Sequence, residues 1–230
     1  MWLPAIGITS ELILLSFIAR RFTQTSFVLL MRIIKSRSIA ITIITLFLFP
    51  GTVIHELSHL FTAEIFGVKT GTLTLAPESI EGNDIQSGSV AIAKTDPFRR
   101  TLIGMAPTIN GSIAVTALSW WLMNIIQYER YILIDTRFSI IFIFYLILTI
   151  SNTMFTSRED TRGMLPVFLT VVIITAALYI SGIRVGIPPV LMQSIQNVLR
   201  VLFQNLAIVL GINVVGLSVF SGILLLIKRR

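Results

Sequence analysis

The chain has no cysteine, which excludes disulfide frameworks, thiolate zinc sites, iron-sulfur clusters and cysteine nucleophiles together. Charge is scarce as well: 13% of 230 residues are Asp, Glu, Lys or Arg, about half the usual share in a soluble globular chain. Histidine occurs only twice. Apolar residues take the space, at 54% of the chain with a mean hydropathy of +0.88. That balance excludes an ordinary soluble domain and predicts a chain living in a lipid bilayer. Six spans of ~20 residues would use about half the length and leave short loops, with no separate soluble domain. The net charge of +7 comes from 18 Lys and Arg that flank apolar runs. They read as interfacial anchors, so no nucleic-acid partner is expected.

The first apolar run, Trp2 to Ala19, carries no basic residue ahead of it and no small-residue cleavage pattern, so it reads as a retained span and not a secretory signal. Arg20 to Arg37 holds five basic residues among Phe and Ile, the pattern of an interfacial helix. A second span starts near Ser38 and passes Pro50-Gly51 into VIHELSHLFTAEIFG. Lys69 to Arg100 changes texture, with β-branched and small residues around a Gly, Asn and Asp turn signal, and predicts a short β-hairpin. Further spans are expected at about 101–126, 138–155, 164–183 and 204–227, with a partly interfacial helix after Pro188-Pro189. The expected fold is an all-α polytopic membrane protein of about six transmembrane helices with a membrane-associated β-hairpin. It forms one integral membrane domain over residues 1–230, with a core at about 38–183 and C-terminal helices at 184–230. Basic residues fall nine on each side of that layout, so they do not orient it.

Chemistry concentrates in HELSH. His55 and His59 are four residues apart, so on a helix they differ by about 40° in direction and ~6 Å in rise. Both imidazoles can then reach one metal ion. Zinc in a catalytic site takes three protein ligands and a water at the fourth position. Glu56 falls beside the pair, where its carboxylate can take a proton from a water whose pKa the ion has lowered toward ~7. Ionisable residues inside an apolar span are expensive and are functional candidates by default. With no cysteine and no third histidine, the remaining ligand must be a carboxylate. Glu64 points nearly half a turn away from the ligand face, Glu11 lies in the weakest span, the hairpin acids Glu78, Glu81, Asp84 and Asp96 sit in a solvated loop, and Glu129 and Asp135 sit at the opposite membrane face of the six-span layout. Glu159 and Asp160 remain, joining two spans on the side where the HELSH span ends.

Three segments together resemble the site-2 protease family of intramembrane zinc metalloproteases: PGTVIHELSH, GMAPTING from Gly104 to Gly111, and SREDTRG from Ser157 to Gly163. The resemblance covers roughly residues 40 to 170. It implies one zinc per chain held by His55, His59 and Asp160, Glu56 as general base, and Asn110 near the active site as a catalytic residue that holds substrate backbone or stabilises an oxyanion. It also implies a membrane-protein substrate cut within or near the lipid bilayer, and an active site toward the cytosolic side. The family's aspartate is usually followed directly by glycine, whereas Thr161 and Arg162 stand between Asp160 and Gly163. No PDZ-like insertion is present. The hairpin strand SGSVAIAK, Ser87 to Lys94, could capture an unwound substrate segment by backbone pairing. Asn152 reads first as an interhelical packing residue. The rival expectations are a metal-binding transporter or channel and a catalytically inactive scaffold of the same fold.

Overall fold

The computed structural model describes residues 2–75, 79–81, 84–86, 88–128, 134–155, 170, 173, 177, 180–182 and 188–228. The elements are α1 (Trp2–Ile34), α2 (Arg37–Ile65), β1 (Thr70–Thr74), β2 (Ser79–Glu81), β3 (Asp84–Gln86), β4 (Ser89–Ile92), α3 (Pro97–Tyr128), α4 (Ile134–Thr153) and α5 (Pro189–Lys228). The described structure is mainly helical. Four helices are long and apolar enough to cross a membrane, over residues 7–34, 37–65, 97–127 and 189–227, and a shorter apolar helix covers Arg137–Thr153. These are the marks of a membrane protein.

α1 corrects the expected break at Arg20. Its buried residues are Glu11, Leu15, Ala19, Phe22, Ser26 and Leu29, spaced four, four, three, four and three apart. That single helical stripe runs straight past Arg20 and Arg21, which stay exposed on the other face. Arginines on the outer face of a helix do not end it when the inner face continues. The partly interfacial helix after Pro188 is likewise continuous with the last span: α5 runs 40 residues. Pro189 opens it at the position where a missing N–H costs nothing.

Helix directions follow from the contacts. Phe22 stacks on Phe220 with ring centroids 5.0 Å apart, and the Cα of Gly7 lies against Phe203, so α1 and α5 run parallel. Tyr145 donates to the Phe47 carbonyl at 2.9 Å, and Gly51 packs against Thr149 and Thr153, so α2 and α4 also run parallel. Asn152 meets Asn213 and Leu148 meets Gly216, so α4 and α5 are antiparallel. Six alternating spans would have made the last antiparallel to the first. The span expected at 164–183 lies largely outside the described residues, of which Thr170, Ile173, Ala177 and Ile180 are helical.

α4 is the hub, packing on α1, α2, α3 and α5. The main core joins its Ile143, Ile147, Ile150 and Met154 to Leu15, Val115, Leu122, Leu206 and Val209. Amides tie it to α5: Asn152 Nδ2 donates to Asn213 Oδ1 at 2.7 Å and Asn213 Nδ2 donates to Ser151 Oγ at 2.8 Å. All three residues are buried, and in an apolar surrounding each amide needs such a partner.

The hairpin forms in two stages, β1 with β4 (Thr70 opposite Ile92, Thr74 opposite Ser89) and β2 with β3 (Ser79 opposite Gln86, Glu81 opposite Asp84), both antiparallel. Its joints are rigid. After α2, Gly67 takes φ +65°, and the Gly67 and Val68 N–H groups donate to the Glu64 and Ala63 carbonyls at 3.0 and 2.8 Å. This is the paired closure of a helix end that a glycine in the left-handed region permits. Before α3, the Asp96 carboxylate accepts the Arg99 N–H at 3.0 Å, with proline at the first helical position. That N–H, then the Arg99 guanidinium at 3.3 Å, holds the Asp96 pKa below its ordinary value.

Candidate metal centre

α2 carries HELSH without interruption, and His55, Glu56 and His59 are 6%, 5% and 8% exposed. The spacing that aligned the two imidazoles brings their Nε2 atoms within 3.2 Å of each other. Two nitrogens bound at ~2.0–2.1 Å to one tetrahedral ion are about 3.3 to 3.4 Å apart. The pair therefore fits a shared zinc ion with little movement of either ring.

The outer nitrogen of His59 is fixed too. Its Nδ1 lies 2.9 Å from the carbonyl oxygen of Ile103. A carbonyl only accepts, so Nδ1 carries the proton and Nε2 presents its lone pair toward His55. In the metal-free protein the proton between the two Nε2 atoms then belongs to His55. This backbone acceptor orients a ligand histidine as such outer partners do.

Ile103 has that carbonyl to offer because of Pro107. In a helix the Ile103 carbonyl would accept the N–H of the residue four positions on, and that residue is a proline inside α3. Pro107 leaves the acceptor open, and His59 takes it. Ile103 is held in place by packing on Ala63 and Val68, so the α2 end, the Gly67 turn and the first turns of α3 converge on one carbonyl. The proline of GMAPTING thus has a role that sequence reading did not assign, although its position four residues after Ile103 was the available signal.

Pro50 bends the logic the same way one turn before the motif. It lies inside α2, removing the N–H that would serve the Leu46 carbonyl. Neighbouring carbonyls are engaged from the side, Phe47 by Tyr145 and Leu48 by Thr52 Oγ1 at 3.3 Å. Side chains of this kind restore backbone pairing around a proline in an apolar helix.

The hairpin lies over Glu56. Gly88 is buried, and a Cβ there would stand 3.0 Å from Glu56 Cγ and 3.1 Å from both Glu56 Oε1 and Thr52 Cγ2. Any larger residue there would have to push the Glu56 and Thr52 side chains back by a few tenths of an ångström. Thr52 is thirteen residues before the end of α2, so the hairpin reaches about 20 Å down that helix from its C-terminal end. Beside it, a cavity of about 620 Å³ is lined by His59, Val90, Ile92, Ala93, Lys94, Thr95, Arg100, Ile103 and Gly104. It runs along β4 to His59.

The structure does not bring every expected residue to this centre. Asn110 is exposed on α3 and makes no hydrogen bond among the described residues. It sits seven residues beyond Ile103, about 10 Å along the helix. Asn152 is part of the α4–α5 clasp, in keeping with the packing expectation. Glu159 and Asp160 lie outside the described residues, and among the described residues no group of three His, Asp or Glu side chains could hold a metal. Comparison with family models, curated proteins and solved structures found no match.

Proposed function

We propose that the chain is an intramembrane zinc metalloprotease of the site-2 protease type. The observation that carries this reading is the Nε2 pair at 3.2 Å with one imidazole pinned through its other nitrogen. His55 and His59 would hold the ion. Asp160 is the third ligand implied by the resemblance, and chain connectivity supports it. Phe155 is buried at the end of α4, which runs parallel to α2, and Met154 accepts the hydroxyl of Thr108 through its carbonyl. α4 ends at Thr153, which packs on Gly51 one turn before His55, and the seven residues from there to 160 can span at most ~25 Å.

Bound zinc supplies a Lewis acid that polarises the scissile carbonyl and lowers the pKa of a water toward ~7. Glu56, buried beside the pair, would accept the proton of that water and return it to the leaving amine. β4, whose strand partner among the described residues is β1, would pair with an unwound substrate segment, which a helix needs before its amides can be reached. Substrate is a membrane-embedded protein, and the site opens toward the cytosol.

Zinc per chain in detergent-purified protein, measured by elemental mass spectrometry, tests the assignment. The parent is expected to hold about one zinc, and His59→Ala and Asp160→Ala to lose it. A metal-free parent after purification without chelator refutes the reading and favours a transporter or an inactive scaffold. Retention in Asp160→Ala alone moves the third ligand to Glu159. Glu56→Gln is expected to keep zinc and to lose hydrolysis.

A further inference from the structure

The cavity that leads to His59 has a charge character that the metal chemistry does not require. Among the described residues its lining includes two cations, Lys94 two residues after β4 and Arg100 in the first turn of α3, and no acid. Both are exposed. Asp96, between the two cations in sequence, pairs with Arg99 at 3.3 Å, and Arg99 and Lys69 do not line the cavity.

We infer that this cavity is an anion subsite: Lys94 and Arg100 receive a carboxylate of the substrate chain, so segments with an acidic residue beside the scissile bond are selected. The proposal rests on the protease reading and names what the site prefers. A peptide is favoured over a lipid headgroup by the rest of the lining. Val90, Ile92 and Ala93 form a strand along which an extended chain can pair, and His59 closes the far end. A chain lying on β4 from Val90 to Lys94 covers about 13 Å, which places the acidic residue within about four residues of the bond. The absence of a substrate-screening insertion leaves selection to such a feature of the core.

The test uses the full chain carrying Glu56→Gln, to prevent turnover, in nanodiscs of zwitterionic phosphatidylcholine. Two fluorescent single-span peptides are compared by anisotropy, identical except for Glu or Gln at the positions just outside the apolar stretch. The Glu peptide is expected to bind about tenfold tighter, at about threefold per cation. Adding Lys94→Gln and Arg100→Gln should abolish the difference, while Lys69→Gln, at a cation that does not line the cavity, should leave it. Zinc content, expected unchanged in both, reports that the variants fold. Equal affinities, no binding of either peptide, or a preference that survives the double substitution overturns the proposal. Binding of anionic phosphatidylglycerol that depends on Lys94 and Arg100, with no peptide preference, overturns it in favour of a lipid anchor. If the preference holds but a peptide is never cleaved by the parent in a Glu56-dependent way, the protease reading fails and the subsite remains.

Discussion

Replacing Pro107 by Ala separates stability from metal binding in opposite directions. The substitution restores an N–H four residues after Ile103, aimed at the carbonyl that now accepts the His59 Nδ1 proton at 2.9 Å. Proline in a helix interior costs about 3 kcal/mol relative to alanine, so the metal-free variant should unfold at higher denaturant or temperature than the parent. The same change gives the carbonyl a competing donor and loosens the ring that presents Nε2. Losing an outer partner of a ligand histidine typically lowers metal affinity by 10 to 100-fold. Here the carbonyl keeps a second lone pair for His59, so the lower end is expected: about tenfold weaker zinc binding, or about 1.4 kcal/mol. Competition against a fluorescent chelator measures the affinity, and circular dichroism of the metal-free protein measures the stability. Pro50→Ala is the control, because it makes the same helix repair at a carbonyl that does not touch either histidine. Zinc binding in Pro107→Ala as tight as in the parent, or equal losses in both proline variants, would refute the reasoning.

Gly88→Val puts branched carbon where only 3.0 to 3.1 Å separates a Cβ from Glu56 and Thr52; hydrolysis should fall at least about tenfold with zinc content unchanged, since Glu56 is not a ligand, and parental turnover would show that the hairpin does not lie over the base. Asn213→Leu removes the acceptor of Asn152 and the donor to Ser151, and should cost about 1 to 2 kcal/mol in unfolding measured by steric trapping in lipid; an unchanged unfolding curve would deny the clasp any weight. Lys35 turns between α1 and α2 at φ +57°, a conformation that suits glycine, so Lys35→Gly should stabilise by about 0.5 to 1 kcal/mol in thermal unfolding, and a loss of stability would contradict the strain assigned to that turn.

Local periodicity carried much of this into the sequence. His55 and His59 face one way because of a four-residue spacing, and the hairpin was announced by a change of residue type and a Gly-Asn-Asp turn. The errors came where charge was given more weight than spacing. Arg20 and Arg21 suggested a boundary, yet Leu15, Ala19, Phe22, Ser26 and Leu29 already marked one uninterrupted inner face. Contacts between distant residues were out of reach. Nothing near position 59 indicates that its ring will meet the carbonyl of residue 103, and the partnership of Asn152 with Asn213 needs the antiparallel register of two helices.

The packing of α4 against four other helices has a consequence for which changes of length the chain can absorb. Each residue removed from a helix shortens it by 1.5 Å and turns everything after it by about 100°. α4 is packed against four other helices and pinned by Asn152, so it cannot relax by rotating as a whole. A one-residue deletion near Ile147 would therefore either tear that clasp or swing Met154 and Phe155 out of the core by more than a quarter turn. The hairpin faces no such arithmetic, because its strands pair between the Gly67 and Asp96 joints and pack chiefly on α2 among the described helices. Related chains should accordingly vary in length between residues 75 and 88 and keep strict count from Tyr145 to Phe155.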